Sequence, residues 1–195
     1  WYCEGRINQA DEPMFREMVR AGCRVMYFGI ESCVEKILRY YWKGITYEMT
    51  KDAVKKARRA NLDVVGSFIL GAPIETVSEM WETVMKAAAL DIDFAQFNAL
   101  RLVRGMPLWE ELSKQGVIND EEKWEDSIMG FEIHPQVTLQ QSSELMKEFH
   151  KAFYKRRSYI VKQVMRTLLH RKKQIFINLP HLGRMASELK NTLYL

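Results

Sequence analysis

The chain has 195 residues, 47% of them hydrophobic, and a formal charge of +4, which supports a packed core and excludes a largely disordered polypeptide. No apolar segment reaches the length of a membrane span and no secretory leader is visible. Three cysteines, Cys3, Cys23 and Cys33, stand at spacings that match neither a zinc site nor an iron–sulfur run, so reduced thiols in a cytoplasmic setting are expected.

In chain order, Trp1-Tyr-Cys-Glu-Gly-Arg6 reads as a strand already under way, which predicts that further sequence precedes Trp1. Asp11 caps a first helix with Pro13 in its first turn, and Met14, Phe15, Met18 and Val19 fall on one face. Gly22 ends it, and the apolar run from Cys23 to Ile30 predicts a buried strand closing on Gly29-Ile30-Glu31-Ser32. A short helix follows from Val34 to about Tyr41, broken by Lys43-Gly44, and Thr46 caps a longer basic helix to about Asn61. Val64 to Leu70 is almost wholly apolar, as suits a strand covered on both faces, and Gly71 and Pro73 end it in a tight turn. Thr76 with Glu79 is a capping-box pair, so the next helix starts at once. Asp93 to Val103 reads as one more buried strand.

The order β, α, β, α, β, α, β predicts an α/β fold with a parallel sheet and helices outside it. Pro107 starts a short helix through Leu112, Asn119 to about Ile133 reads as irregular connection, and Thr138 with Gln141 opens a long helix broken near Arg157 and Ser158. A last amphipathic stretch runs beyond Ile175 to Leu195. The predicted domains are therefore a βα portion over 1–118 and a mainly helical extension over 119–195. Cations from Lys155 to Lys173 make that extension basic. Such a run fits a nucleic acid, an anionic membrane surface or an acidic partner, although a charge run is more often a solvated helix face.

Polar side chains interrupt apolar strand ends at Glu4 and Arg6, Glu31 and Ser32, Ser67 and Glu75, and Asn98 and Arg101. In parallel sheets ligands bind at the carboxyl ends of strands, so these groups outline one rim. Glu31 follows six mostly apolar residues and needs either a ligand or a salt bridge, for which Arg6 and Arg101 are the candidates. No nucleophile is paired with a base, no phosphate loop occurs, and the four histidines follow the predicted sheet, where they read as packing or surface residues. No catalytic residue is assigned, and reactivity is expected from a cofactor.

Gly22-Cys-Arg-Val-Met-Tyr-Phe-Gly-Ile-Glu-Ser32, Lys43-Gly44-Ile45-Thr46 and Gly66-Ser-Phe-Ile-Leu-Gly-Ala-Pro-Ile-Glu-Thr76, in that order, resemble the second half of a radical S-adenosylmethionine (radical SAM) core. The resemblance covers roughly residues 1 to 118 and implies the second half of a partial TIM-like barrel. It further implies a catalyst that cleaves S-adenosylmethionine at a 4Fe-4S cluster. It assigns Glu31 and Ser32 to the methionine or ribose part of S-adenosylmethionine, and Ser67, Ile69, Gly71, Glu75 and Asn98 to its adenosyl side. The cluster-binding Cys-x-x-x-Cys-x-x-Cys loop has no counterpart here, so the cluster ligands are expected outside this chain. Leu102-Val-Arg-Gly-Met106 stands where relatives often have Pro-x-Pro-Gly-Thr.

The aromatic and basic pattern from Phe153 through Val161 resembles the subgroup carrying an N-terminal cobalamin-binding domain, which includes anaerobic magnesium-protoporphyrin monomethyl ester cyclases. That second resemblance implies cobalamin in a preceding domain. The expected partners are a small-molecule substrate and the N-terminal half of the barrel. Peripheral membrane contact through the basic tail is a further expectation, and nucleic acid is not expected. The alternative is a non-catalytic relative acting as a scaffold or on a membrane surface.

Overall fold

The computed structural model describes residues 1–118 and 127–170. Four parallel strands, β1 (Tyr2–Gly5), β2 (Val25–Glu31), β3 (Asp63–Leu70) and β4 (Phe94–Ala99), form one sheet in the order β1-β2-β3-β4. Helical crossovers join them: a 3-10 turn (Ile7–Gln9) and α1 (Glu12–Arg20), then α2 (Glu35–Tyr40) and α3 (Tyr47–Arg59), then α4 (Val77–Ala89). The strand–helix alternation read from the sequence is the one observed.

The helices begin where their caps put them. Asp11 accepts from Met14 N, Thr46 from Met49 N, and Thr76 and Glu79 complete a reciprocal capping box. Strand alternation then divides the sheet's two faces. Met26, Phe28 and Ile30 of β2 and Val64 and Phe68 of β3 are buried, as are Phe15, Val54, Ala57, Met80 and Val84 of the helices. These residues make the core, worth about 1.5–3 kcal/mol for each large side chain fully buried. Tyr27 and Gly29, Val65 and Ser67, and Phe94 and Gln96 hold matching register positions on the opposite face. At the amino end of the sheet Asp93 is fully buried and accepts from Arg58 Nη1 at 2.6 Å and from Val64 N at 2.8 Å, tying β3 to β4.

The predicted strand over 93–103 is two strands. β4 stops at Ala99, and β5 (Arg101–Val103) pairs antiparallel with β6 (Ser127–Met129) in a second, two-stranded sheet. Leu100 sits at the break, donating its N–H to Leu70 O at 2.8 Å and accepting from Gly130 N at 2.7 Å. The expected irregular connection over 119–133 is thus replaced, in its described part, by β6 and a 3-10 turn (Gly130–Glu132); residues 119–126 lie outside the described residues. A second apolar cluster (Leu100, Leu102, Trp109, Leu112, Ile118, Ile128) covers Ala72 at the end of β3, with α5 (Pro107–Lys114) supplying Trp109 and Leu112.

α6 (Leu139–Tyr154) opens on the predicted Thr138–Gln141 pair and docks Phe149 edge-on to Trp81 at 4.8 Å and Phe153 edge-on to Phe97 at 5.9 Å. The chain divides into two compact units, Trp1–Phe153 and Tyr154–Leu195. In the second unit α7 (Arg157–His170) follows a break at Lys155–Arg156, and Tyr154 meets Tyr159 edge-on at 5.4 Å. Ile160, Val161, Val164, Met165 and Leu168 of α7 are exposed. The amphipathic stretch predicted beyond Ile175 lies outside the described residues. Among the described residues no helix is long and apolar enough to cross a membrane.

Candidate functional site

The carboxyl ends of β2 and β3 are built differently. β2 carries a bulge: Gly29 is in register with Ser67, but Glu31 is in register with Phe68, leaving Ile30 as the extra residue. Glu31 has a left-handed backbone, φ 67°, which costs a non-glycine residue about 1–2 kcal/mol. Its carboxylate folds back over Gly29. A Cβ on Gly29 would lie 2.9 Å from Glu31 Oε1 and 3.6 Å from Lys43 Nζ, so the bare backbone there is what admits the side chain.

Lys43 Nζ pairs with Glu31 Oε1 at 2.8 Å. Lys43 arrives from a corner of two further left-handed residues, Trp42 and Gly44, and the Trp42 side chain is 93% exposed. A cavity of about 310 Å³ opens beside the pair, lined by Glu4, Gly5, Arg6, Tyr27, Gly29 and Lys43 among others. Glu31 therefore has the salt bridge that its desolvation requires, but from Lys43 rather than from Arg6 or Arg101. Its strain and its place beside a cavity are features a structural ion pair alone would not need.

Ser32, one residue on, does not reach this rim. It is fully buried, its hydroxyl is 2.9 Å from Thr83 Oγ1 of α4, and it accepts from Val34 N at 3.1 Å. Strand alternation runs on through this point, so 31 and 32 serve opposite layers. The expectation that Ser32 touches a ligand is corrected accordingly.

The end of β3 is a braced turn. Gly71 has φ +89°, and a Cβ there would lie 2.8–3.0 Å from ring atoms of Phe131. Glu75 Oε2 accepts from Gly71 N at 2.8 Å and from Ala72 N at 3.3 Å. With 1% of its surface exposed, Glu75 is pushed up to about 7 by burial, against the lowering effect of those two backbone donors. His134 sits beneath the turn, its Nε2 2.7 Å from Glu75 O and its Nδ1 accepting from Gln136 N and Val137 N, each at 3.2 Å. Those two bonds assign the proton to Nε2, which donates to the carbonyl, and burial holds the ring below its usual pKa.

On the cleft face of the sheet, Asn98 Nδ2 donates to Ser67 Oγ at 3.3 Å, and the Tyr27 hydroxyl donates to Gln96 Oε1 at 2.7 Å. Ile69, in register with Asn98, continues that face and packs against the second apolar cluster. The structure thus gathers Glu31, Ser67, Ile69 and Asn98 on one rim and makes Gly71 and Glu75 its turn. Lys43, Tyr27, Gln96 and His134 are parts of the arrangement to which the sequence reading gives no site role. Lys43 alone left a signal, the Lys-Gly break after a short helix.

For a cluster the fit is poor. Cys33 is buried and its thiol is pushed up to about 12, which opposes the thiolate a metal requires; Cys23 is buried, and Cys3 lies on β1. Among the described residues no group of three or more His, Cys, Asp or Glu could hold a metal ion. For an adenosyl ligand the fit is good. The rim offers a carboxylate, an ammonium, an amide, an apolar strand end and a glycine turn, and a cavity of ligand size opens on its β1 and β2 side, at Gly29 and Lys43.

The family described as the radical SAM superfamily matches residues 3–87. An uncharacterized methyltransferase of Pyrococcus horikoshii is 34% identical over 84% of this chain, which spans 36% of that protein. Among solved structures, the radical S-adenosylmethionine methyltransferase TsrM of Kitasatospora setae, with cobalamin and a 4Fe-4S cluster bound, superposes with a TM-score of 0.54 at 24% identity, covering 58% of this chain and 23% of that one. Coproporphyrinogen III oxidase (HemN) of Escherichia coli, a radical SAM enzyme, superposes at 0.55 with 17% identity, covering 79% of this chain and 31% of that one. These two likenesses establish the fold, a portion of a TIM-like barrel.

Proposed function

We propose, from the radical SAM match over residues 3–87, that the chain carries part of a radical SAM core and that its strand-end rim is the adenosyl- and methionyl-binding side of a radical SAM methyltransferase. Methyl transfer is the named activity of both the Pyrococcus relative and the Kitasatospora enzyme. The observation that carries the reading is the strained Glu31, held over Gly29 by Lys43 at the mouth of the cavity.

Within this reading Lys43 meets the methionine carboxylate and Glu31 accepts from the ribose hydroxyls, so an ion pair inside the protein is exchanged for one ion pair and a charge-assisted hydrogen bond with the ligand. Ile69 and the backbone at Gly71 offer an apolar edge and close approach for the adenine. Asn98 and Ser67 orient each other beside it. A 4Fe-4S cluster would be held by residues outside this chain and would supply the electron for cleavage of S-adenosylmethionine. Cobalamin in a preceding domain is the expected second cofactor, and a small molecule the expected methyl acceptor. The cytoplasm is the expected compartment. Peripheral contact with an anionic membrane through the basic α7 stays within the proposal, because α7 exposes apolar side chains alongside Arg157, Lys162 and Arg166.

The test is anaerobic reconstitution of the full-length protein with iron and sulfide. S-adenosylmethionine affinity is then measured, followed by assay for 5′-deoxyadenosine and S-adenosylhomocysteine. Glu31→Gln is expected to weaken affinity about tenfold without changing the unfolding midpoint, in line with the worth of one charge-assisted contact. A reconstituted, folded protein that binds no S-adenosylmethionine refutes the reading.

A further inference from the structure

Two buried polar atoms near the rim meet no hydrogen-bond partner: the hydroxyl of Tyr41 and Oε1 of Glu75. They belong to different loops. Tyr41 caps the end of α2, immediately before the Trp42–Gly44 corner that delivers Lys43 to Glu31. Glu75 closes the turn after β3. Tyr41 packs against the apolar cluster that includes Ala72, whose N–H is held by the other oxygen of Glu75. Among charged groups, Glu75 bears most strongly on the Tyr41 phenol, ahead of Tyr40 and Glu31. One atom is a donor and the other an acceptor, and a buried unsatisfied pair of this kind is costly unless joined.

We propose that Tyr41 and Glu75 are a positioning pair: the Tyr41 hydroxyl donates to Glu75 Oε1, directly or through one water, and latches the Lys43 corner to the turn after β3. The latch holds the two sides of the cleft at one spacing. Because a phenol donates more strongly to a carboxylate than to a carboxylic acid, it tightens as Glu75 ionises. The surrounding charges are few. Glu79 and Lys36 act on Glu75 with opposite sign, His134 donates to its backbone carbonyl, and Tyr40 and Glu31 bear on Tyr41. The consequence for ligand binding rests on the functional reading above; the pairing itself does not.

The experiment uses the full-length protein and two readouts. The first needs no ligand: the infrared carbonyl band of a protonated carboxylic acid is followed against pH, with Glu75→Gln identifying the Glu75 contribution. Tyr41→Phe removes the donor to the ionised form, so the Glu75 midpoint is expected to move up by at least half a pH unit. A midpoint that stays put or moves down overturns the pairing. In the second readout, wild-type affinity for S-adenosylmethionine is expected to rise several-fold with pH through the Glu75 titration, and Tyr41→Phe to flatten that rise. An unaltered pH profile in Tyr41→Phe overturns the latch. Should Glu75→Gln fail to fold, isotope-edited glutamate bands in the wild type and in Tyr41→Phe still decide the first readout. Absence of any S-adenosylmethionine binding by the wild type counts against the functional reading, while the carboxyl titration still tests the pair.

Discussion

The corner at Glu31 and the turn at Glu75 both end a parallel strand with a glutamate, and they use it oppositely. Glu31 stands on a strained backbone at the edge of a cavity, held by one flexible lysine. Glu75 is sealed inside, spends one oxygen on two backbone amides, and rests on His134. A glutamate that stitches its own turn together is architecture. One held out of its preferred conformation beside open space is the recognition group of the proposed function, since strain of this kind clusters where ligands are clamped. Burial alone would have ranked the two in the wrong order.

Substituting the two glycines breaks this contrast most directly. Gly71→Ala forces a Cβ into the Phe131 ring from a left-handed backbone, and a loss of about 2–4 kcal/mol is expected in chemical unfolding. Gly29→Ala meets only the movable ends of Glu31 and Lys43, so stability should fall by less than about 1 kcal/mol while S-adenosylmethionine affinity falls about tenfold. Equal stability losses would erase the distinction between the two sites.

The pH dependence of stability sharpens it. Glu75 is raised from 4.5 to about 7 in the folded state, so its contribution is complete below pH 4.5 and is lost as pH rises towards 7. The amount is on the order of 3 kcal/mol, and Glu75→Gln should abolish it in unfolding midpoints taken across that window. His134 has the opposite sign: its lowered pKa means that stability falls as pH drops below about 6.5, where protonated Nδ1 can no longer accept from Gln136 and Val137. A smaller effect is expected from Ser32→Ala, about 1 kcal/mol of stability with S-adenosylmethionine affinity unchanged. A binding defect there would return Ser32 to the rim.

Much of this was legible in the sequence because apolar runs, glycine turns and capping pairs are local. The strands at 25–31 and 63–70 and the Thr76–Glu79 cap needed only neighbouring residues. What was misread required partners far along the chain. The break at Leu100 is set by β6, and the apolar run through it gives no warning. Ser32 adjoins Glu31 in sequence, and strand alternation sends it to the opposite layer. Lys43 lies twelve residues from Glu31 and His134 fifty-nine from Glu75, distances over which neither periodicity nor spacing carries information.

The sheet order β1-β2-β3-β4 follows the order of synthesis. Each new strand therefore emerges from the ribosome to find its neighbour already made and its crossover helix already formed. Within this four-stranded sheet no strand waits for a distant segment. The entropy of closing each loop is that of one βα unit, and the growing edge is exposed only until the next unit arrives. A barrel assembled this way folds as a vector, and its first strands can order before its last have been translated.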